Sequence, residues 1–220
     1  MMSGMSELLP LDPDELLTTT RSVRKRLDFD RDVPMELIRE CLEVALQAPS
    51  GSNTQGWHWI VVTDPELKRA VADHYRRSYN AYRDSAVYQS RLQNADEPRK
   101  QVQQRVASSS QYLADVMHEV PVLVIGAIHV GDALPEGSQA GLWGSLLPAA
   151  WSFQLAARAR GLGSAWTTLH LVYESEVAEL LGIPTNVRQG VLLPVAYSKG
   201  TDFKPAPRQP LDTVLHVNGW

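Results

Sequence analysis

Ala48-Pro-Ser-Gly-Ser-Asn-Thr-Gln-Gly-Trp57 joins an apolar-periodic segment to the β-branched and aromatic run Trp57-His-Trp-Ile-Val-Val-Thr63. A plain turn needs only a short stretch of Gly, Asn or Ser. Here Ser50, Ser52, Asn53, Thr54 and Gln55 offer hydroxyls and amides in quick succession, and Gly51 and Gly56 let backbone N–H groups approach a ligand closely. The stretch reads as a polar loop between a helix and a strand, with more hydrogen-bonding groups than a turn requires.

Upstream, Asp32 and Pro34 open a helix that runs to about Gln47, because Pro49 disfavours helical geometry at Ala48. Its apolar face is Leu37, Ile38, Cys41, Leu42, Ala45 and Leu46. Cys41 is the only cysteine, so no internal disulfide is possible, and on this face it reads as a small buried hydrophobe rather than a nucleophile. Before this helix, Glu15 to Arg24 reads as a short helix or turn and Leu27 to Asp30 as extended chain; residues 1–14 are expected to form a flexible extension.

Downstream, Trp57 to Thr63 is a strand and Asp64-Pro65-Glu66 starts another helix. Residues 67–119 are helical but polar, broken near Asn94 to Pro98, with Tyr75, Tyr79, Tyr82 and Tyr88 in the first half. Aromatics at such spacing are ordinarily packing residues; the functional alternative is a helical cover over a site that sets substrate choice. Pro121 to Ala127 is an apolar run between breakers, hence a buried strand. Leu142 to Arg160 is a helix apolar on nearly every side, which predicts burial and a subunit interface, and so a homodimer. Gly161 suits a left-handed cap, and Arg158 and Arg160 suit the negative helix end. Ser164 to Leu171 reads as a strand, Ser175 to Leu181 as a short helix, Gly190 to Tyr197 as a strand, followed by a Pro-rich tail holding Arg208. Interleaved strands and helices with no repeat or linker predict one α/β or α+β domain over 1–220.

The composition, 44% apolar and 21% charged with a net charge of -4, is that of an ordinary globular chain and argues against a nucleic acid or an anionic membrane as main partner. Residues 137–157 carry no charge over a length that could span a bilayer, but Ser138, Gln139, Ser145, Pro148, Ser152 and Gln154 make a helix buried in protein the better reading. The N-terminus lacks a secretory pattern, so a cytoplasmic location is expected. Six scattered histidines and one cysteine leave no zinc pattern, and no metal site is expected. There is no Gly-x-Ser-x-Gly elbow and no phosphate loop; Gly161-Leu-Gly163 follows a helix and precedes a strand, the reverse of a dinucleotide fingerprint.

Arg21, Arg24, Lys25 and Arg26, with Ser22 among them, form the densest basic patch of an acidic chain. It reads as a solvated charge run, as a site for one phosphate, or, least well supported, as a nucleic-acid contact. Co-occurrence decides between them. Arg21-Ser-Val-Arg24, the loop from Ala48 to Trp57, Gly161-Leu-Gly-Ser-Ala-Trp-Thr-Thr168 after a buried helix, and Arg208 stand in an order that closely resembles the flavin-dependent nitroreductase family, from about Leu16 to Trp220.

That resemblance implies an α+β fold with a central, mostly antiparallel sheet flanked by helices. It implies an intertwined homodimer with two FMN sites built from both subunits. It also implies ping-pong transfer from NADH or NADPH through FMN to a small planar acceptor such as a nitroaromatic or quinone. The alternative on the same scaffold is a flavin-binding protein that stores, senses or consumes flavin without nicotinamide turnover. By resemblance, Arg21, Ser22 and Arg24 hold the phosphate and ribityl end, with Arg24 near the ring edge. Pro49, Ser50, Gly51, Ser52, Asn53 and Gln55 come from the partner subunit, Gly163, Trp166, Thr167 and Thr168 lie along the ring, and Arg208 closes on the phosphate. No catalytic side chain is required, since the flavin carries the chemistry. Arg24→Ala is therefore expected to harm FMN retention far more than Arg91→Ala. Many relatives carry an Arg where this chain has Thr20 and a Pro where it has Gly56.

Overall fold

The computed structural model describes residues 6–93 and 97–220; the side chains of 91–93, 97 and 98, and with them Arg91, lie outside the described residues. Its centre is an antiparallel sheet formed by β1 (Leu27–Asp28), β2 (Trp57–Val62), β3 (Val122–His129), β4 (Leu162–Ser164) and β5 (Val187–Ser198). The strand order is β1-β5-β3-β2, with β4 on β5 as well. The helices are α1 (Pro13–Thr19), α2 (Met35–Ala45), α3 (Pro65–Arg83), α4 (Ala86–Gln93), α5 (Glu97–Val116), α6 (Ala140–Ala159) and α7 (Glu174–Leu181).

The apolar run on β3 divides by parity. Leu123 and Ile125 join a core with Val71, Ala72, Tyr75 and Tyr79 of α3 and Leu113 of α5. Val122 and Val124 join a second core with Leu37, Ile38 and Cys41 of α2 and Ala150, Phe153 and Ala157 of α6. Period-two alternation thus places helices on both faces of the sheet, which is why β3 is apolar from Val122 to Ile128. Cys41 is fully buried, and burial pushes its thiol up to about 12, as befits a packing residue.

Local chemistry sets the helix starts. Asp64 accepts from the Glu66 and Leu67 N–H groups at 2.9 Å ahead of Pro65, and Asp12 and Glu15 form a reciprocal cap on α1. The Lys68 amine, itself buried, donates to the carbonyls of Val120 and Pro121 at 2.8 and 3.3 Å, fastening the start of α3 to the entry of β3. The N-terminal segment is held from Ser6 onward: the Ser6 hydroxyl donates to Glu40 at 2.6 Å and the Leu9 N–H to the Ala159 carbonyl at 2.7 Å. Residues 1–5 of the expected extension lie outside the described residues.

Some expectations change or are extended. The strand expected over Ser164 to Leu171 stops at Ser164, and Thr167 alone pairs again, with Leu192, before a 3-10 turn over Leu169–Tyr173. The cause is Pro194: Thr167 and Leu192 exchange both backbone bonds, so the register makes Ala165 and Pro194 the next such pair, and proline has no N–H to give. Arg158 and Arg160 stand at the helix end as expected, where Arg160 donates to the Ala156 carbonyl at 3.2 Å, but both are also buried and make tertiary contacts; Arg160 pairs with Glu40 at 3.0 Å. Leu46, placed on the apolar face of α2, is instead 43% exposed beyond the end of the helix. Among the described residues no helix is long and apolar enough to cross a membrane.

Candidate functional site

Beyond the end of β4, Trp166 and Thr168 leave the sheet while Thr167 pairs once more with Leu192, and all three line a cavity of about 340 Å³. Its other walls are Arg24, tyrosines 75, 79, 82 and 88 from α3 and α4, and Gln103, Val106, Ala107 and Ser110 from α5. Tyr82 and Tyr88 meet edge to face at 5.0 Å. Burial pushes the Tyr75 and Tyr79 phenols up to about 12, so both are neutral donors near neutral pH. Arg24 is the charged group of this aromatic space. Burial lowers its pKa, Tyr75 and Tyr79 oppose that, and its hydrogen bond to Ser109 is long at 3.5 Å.

Arg24 also borders a second, more open cavity of about 430 Å³, with Arg21, Ser22, Lys25, Arg26 and Lys204. The Arg21 guanidinium donates to the Lys204 carbonyl at 3.0 Å, and Arg26 pairs with Asp202 at 3.0 Å while lying 4.2 Å from the Phe203 ring centre. The arrangement is a basic basin opening beside an aromatic slot, with one guanidinium common to both. A planar ligand bearing an anionic tail suits it.

Arg21, Ser22 and Arg24 thus come together with Trp166, Thr167 and Thr168, while the remaining candidates stand apart. Gly163 does not border the aromatic cavity. It lies behind the basic run, where an added Cβ would sit 3.0 Å from the Cβ and Cγ1 of Val23 and 3.1 Å from Leu27. Gly163→Val is expected to destabilise the fold by about 1–3 kcal/mol by overpacking and to weaken ligand binding by displacing Val23. Urea midpoints and flavin titrations check it, and an unchanged midpoint would contradict the packing argument.

Arg208 does not join Arg21. Pro205, Pro207 and Pro210 keep the tail extended, and Arg208 lines an open groove with Arg99, Val102 and Gln103. Lys204, four positions earlier in the same tail, borders the basin beside Arg21, a residue that sequence reasoning passed over.

The loop residues Ser50, Gly51, Ser52, Asn53 and Gln55 border neither of these cavities, nor does Pro49. They lie on α6, where the Gly51 N–H donates to Ser145 at 2.9 Å. Ser52, Asn53 and Gln55 adopt left-handed backbone, with φ of 51°, 53° and 51°, a conformation that costs a non-glycine residue about 1–2 kcal/mol. Gln55 closes the loop on itself through Ser50 and Asn53, both at 3.1 Å.

Next to Leu169, which lines the aromatic cavity, His170 is fully buried, and among the described residues both its ring nitrogens are unpartnered; burial pushes it down to about 4 against a weaker pull from Glu174. Burial also raises the Glu174 carboxyl, but the Arg188 fork and the Gln189 N–H outweigh it and leave it low. The folded chain refuses a proton that an unfolded imidazole accepts near pH 6.5, so stability falls as pH drops from about 6.5 to 4, by up to about 3 kcal/mol. His170→Leu is expected to flatten that part of a stability–pH curve, which chemical denaturation at stepped pH measures.

The fold is thus a sheet between two helical layers, with a cationic basin beside an aromatic slot. Residues 17–197 match the model of the nitroreductase family, and the chain belongs to that family. It is 27% identical over 205 residues to iodotyrosine deiodinase 1 of Rattus norvegicus, covering 91% of this chain and 67% of that protein. It is 29% identical over 194 residues to 4-nitrobenzoate reductase of Nocardioides sp. (strain LMS-CY), covering 79% and 75%. The chain spans about two thirds of the length of the deiodinases it matches. Among solved structures, an oxidized iodotyrosine deiodinase bound to FMN and 3-iodo-L-tyrosine superimposes with a TM-score of 0.66 at 25% identity, covering 91% of this chain and 96% of that one. A variant of the FMN- and NADPH-dependent nitroreductase NfnB from Sphigopyxis sp. strain HMH gives 0.70 at 23% identity, covering 96% and 100%.

Proposed function

We propose that this chain is an FMN-dependent oxidoreductase that passes electrons from NADH or NADPH to a small conjugated aromatic acceptor. The observation that carries the reading is Arg24, which borders both the basic basin and the aromatic slot. When bound, FMN supplies the two-electron chemistry. The chain's residues bind and orient: Arg21, Ser22 and Lys204 offer donors to a phosphate, and Arg24 supplies fixed positive charge where a reduced ring is negative. Trp166, Thr167 and Thr168 border the ring's side of the slot, and the tyrosines exclude water and offer faces to a planar acceptor. The donor set fits the group, since the basin is cationic and the slot is apolar apart from Arg24, Gln103 and hydroxyls.

The acting form is a homodimer on this reading, with the loop from Ser50 to Gln55 lent to the partner's site. Support comes from the loop's place on α6, away from its own chain's cavities, and from a partly exposed apolar stripe at Leu147, Trp151 and Leu155 along the same helix. Rapid mixing of the FMN-loaded protein with NADH and with NADPH, without oxygen, tests the reading. Bleaching of the flavin band with either nucleotide supports it; no bleaching with either favours the flavin-storing or flavin-consuming alternative. Reoxidation by 4-nitrobenzoate, a quinone or 3-iodo-L-tyrosine then sorts acceptors.

A further inference from the structure

Arg158, in the last turn of α6, is only 5% exposed, and among the described residues it has no carboxylate partner. Arg160, two residues on, shows the usual solution for a buried guanidinium, an ion pair with Glu40. Arg158 instead donates to the Thr201 carbonyl at 2.7 Å and, at the outer limit of 3.5 Å, to the Thr19 hydroxyl, while its buried Nε has no partner. The Phe203 ring 4.9 Å away and the negative end of α6 offset part of the charge. Burial lowers the pKa of Arg158, and the nearby Arg26 lowers it further, so its charged neighbour opposes rather than balances it. An uncompensated buried charge is costly, and retaining one calls for an anion.

The place for that anion is next to it. Arg158 lines a small, partly open cavity of about 10 Å³ with Thr19, Thr20, Arg21, Gln154 and Phe203. That volume holds about one water, and so about one oxygen atom. Arg21, Val23 and Phe203 line both this cavity and the basic basin, so the small space backs onto the larger one.

We propose that Arg158 anchors the phosphate of the flavin from behind, as a second guanidinium beyond Arg21. The assignment rests on the flavin reading of the basin. It gives a role in ligand binding to a side chain whose sequence position suggested only a helix-end charge.

Flavin-free protein is titrated with FMN and with riboflavin, which lacks the phosphate, by quenching of flavin fluorescence. In Arg158→Gln, FMN affinity is expected to fall about tenfold or more while riboflavin affinity stays within about twofold. Thr20 borders the same cavity, so Arg158→Gln combined with Thr20→Arg is expected to recover most of the loss. Equal weakening of both flavins, no change in either, or a double variant as weak as the single one overturns the assignment. If Arg158→Gln does not fold, Arg158→Lys carries the same comparison: FMN weakened relative to riboflavin supports a phosphate contact, and an unchanged ratio overturns it. Wild-type protein that binds neither flavin overturns the flavin reading itself, and the assignment with it.

Discussion

Arg24→Ala is expected to lower FMN affinity by about 10- to 100-fold, with fluorescence titration as the measurement. Arg24 is the one residue of the basic run that borders the aromatic slot as well as the basin, so its loss touches both ends of the ligand. A charge-assisted hydrogen bond to a partly buried group contributes about 1.5–3 kcal/mol, and each 1.4 kcal/mol is tenfold in affinity. The comparison variant is Arg105→Ala, which removes an exposed guanidinium that merely folds back on the Gln101 carbonyl. It is expected to stay within about twofold. Equal losses in the two variants would count against the placement of the ring beside Arg24.

Trp151→Glu is expected to produce a monomer that no longer retains flavin. Trp151 is 38% exposed in the middle of α6, while Phe153, two residues on, is fully buried and stacks on Trp59 at 6.2 Å. The substitution therefore puts a charge on the outer face of α6 and leaves the inner face against the sheet intact. Tryptophan at an interface commonly contributes 2 kcal/mol or more, so subunit affinity is expected to fall by more than about tenfold. Light scattering over a dilution series reads the mass, and circular dichroism shows that the chain is still folded. A dimer that persists, or a wild-type chain that is already monomeric, would remove the shared-site part of the proposal.

The order of helices and strands was legible because each signal was local and strong. Asp64-Pro65 marks a helix start, the run at Pro121 to Ala127 marks a buried strand, and Gly161 ends its helix with φ of 76°, as a left-handed cap requires. The end of β4 was not legible from its own residues, because it depends on Pro194 across the ladder. Nor was the placement of Arg158 or Lys204, since each acquires meaning from the tertiary neighbours it meets around Thr20 and Arg21. The tyrosines lay between these cases: their sequence spacing fitted core packing, and the structure gives them that and a cavity as well. Tyr75 and Tyr79 are buried in the α3 core while also lining the slot.

The buried amine of Lys68 has a mechanical consequence. By holding the root of α3 to the entry of β3, it makes Tyr75 and Tyr79 a fixed jaw, indexed to the same sheet that carries Thr167. The opposing jaw, Gln103, Val106, Ala107 and Ser110 on α5, has no such rivet among the bonds of its own residues to the sheet. That jaw is tied to the fixed one instead, through the Tyr79 hydroxyl, which donates to the Ala107 carbonyl at 3.3 Å, and through Arg83, which donates to Gln111 at 2.9 Å. Changes at Tyr75 or Tyr79 are therefore expected to disturb the frame, whereas larger side chains at Val106 or Ala107 are expected to narrow the cavity.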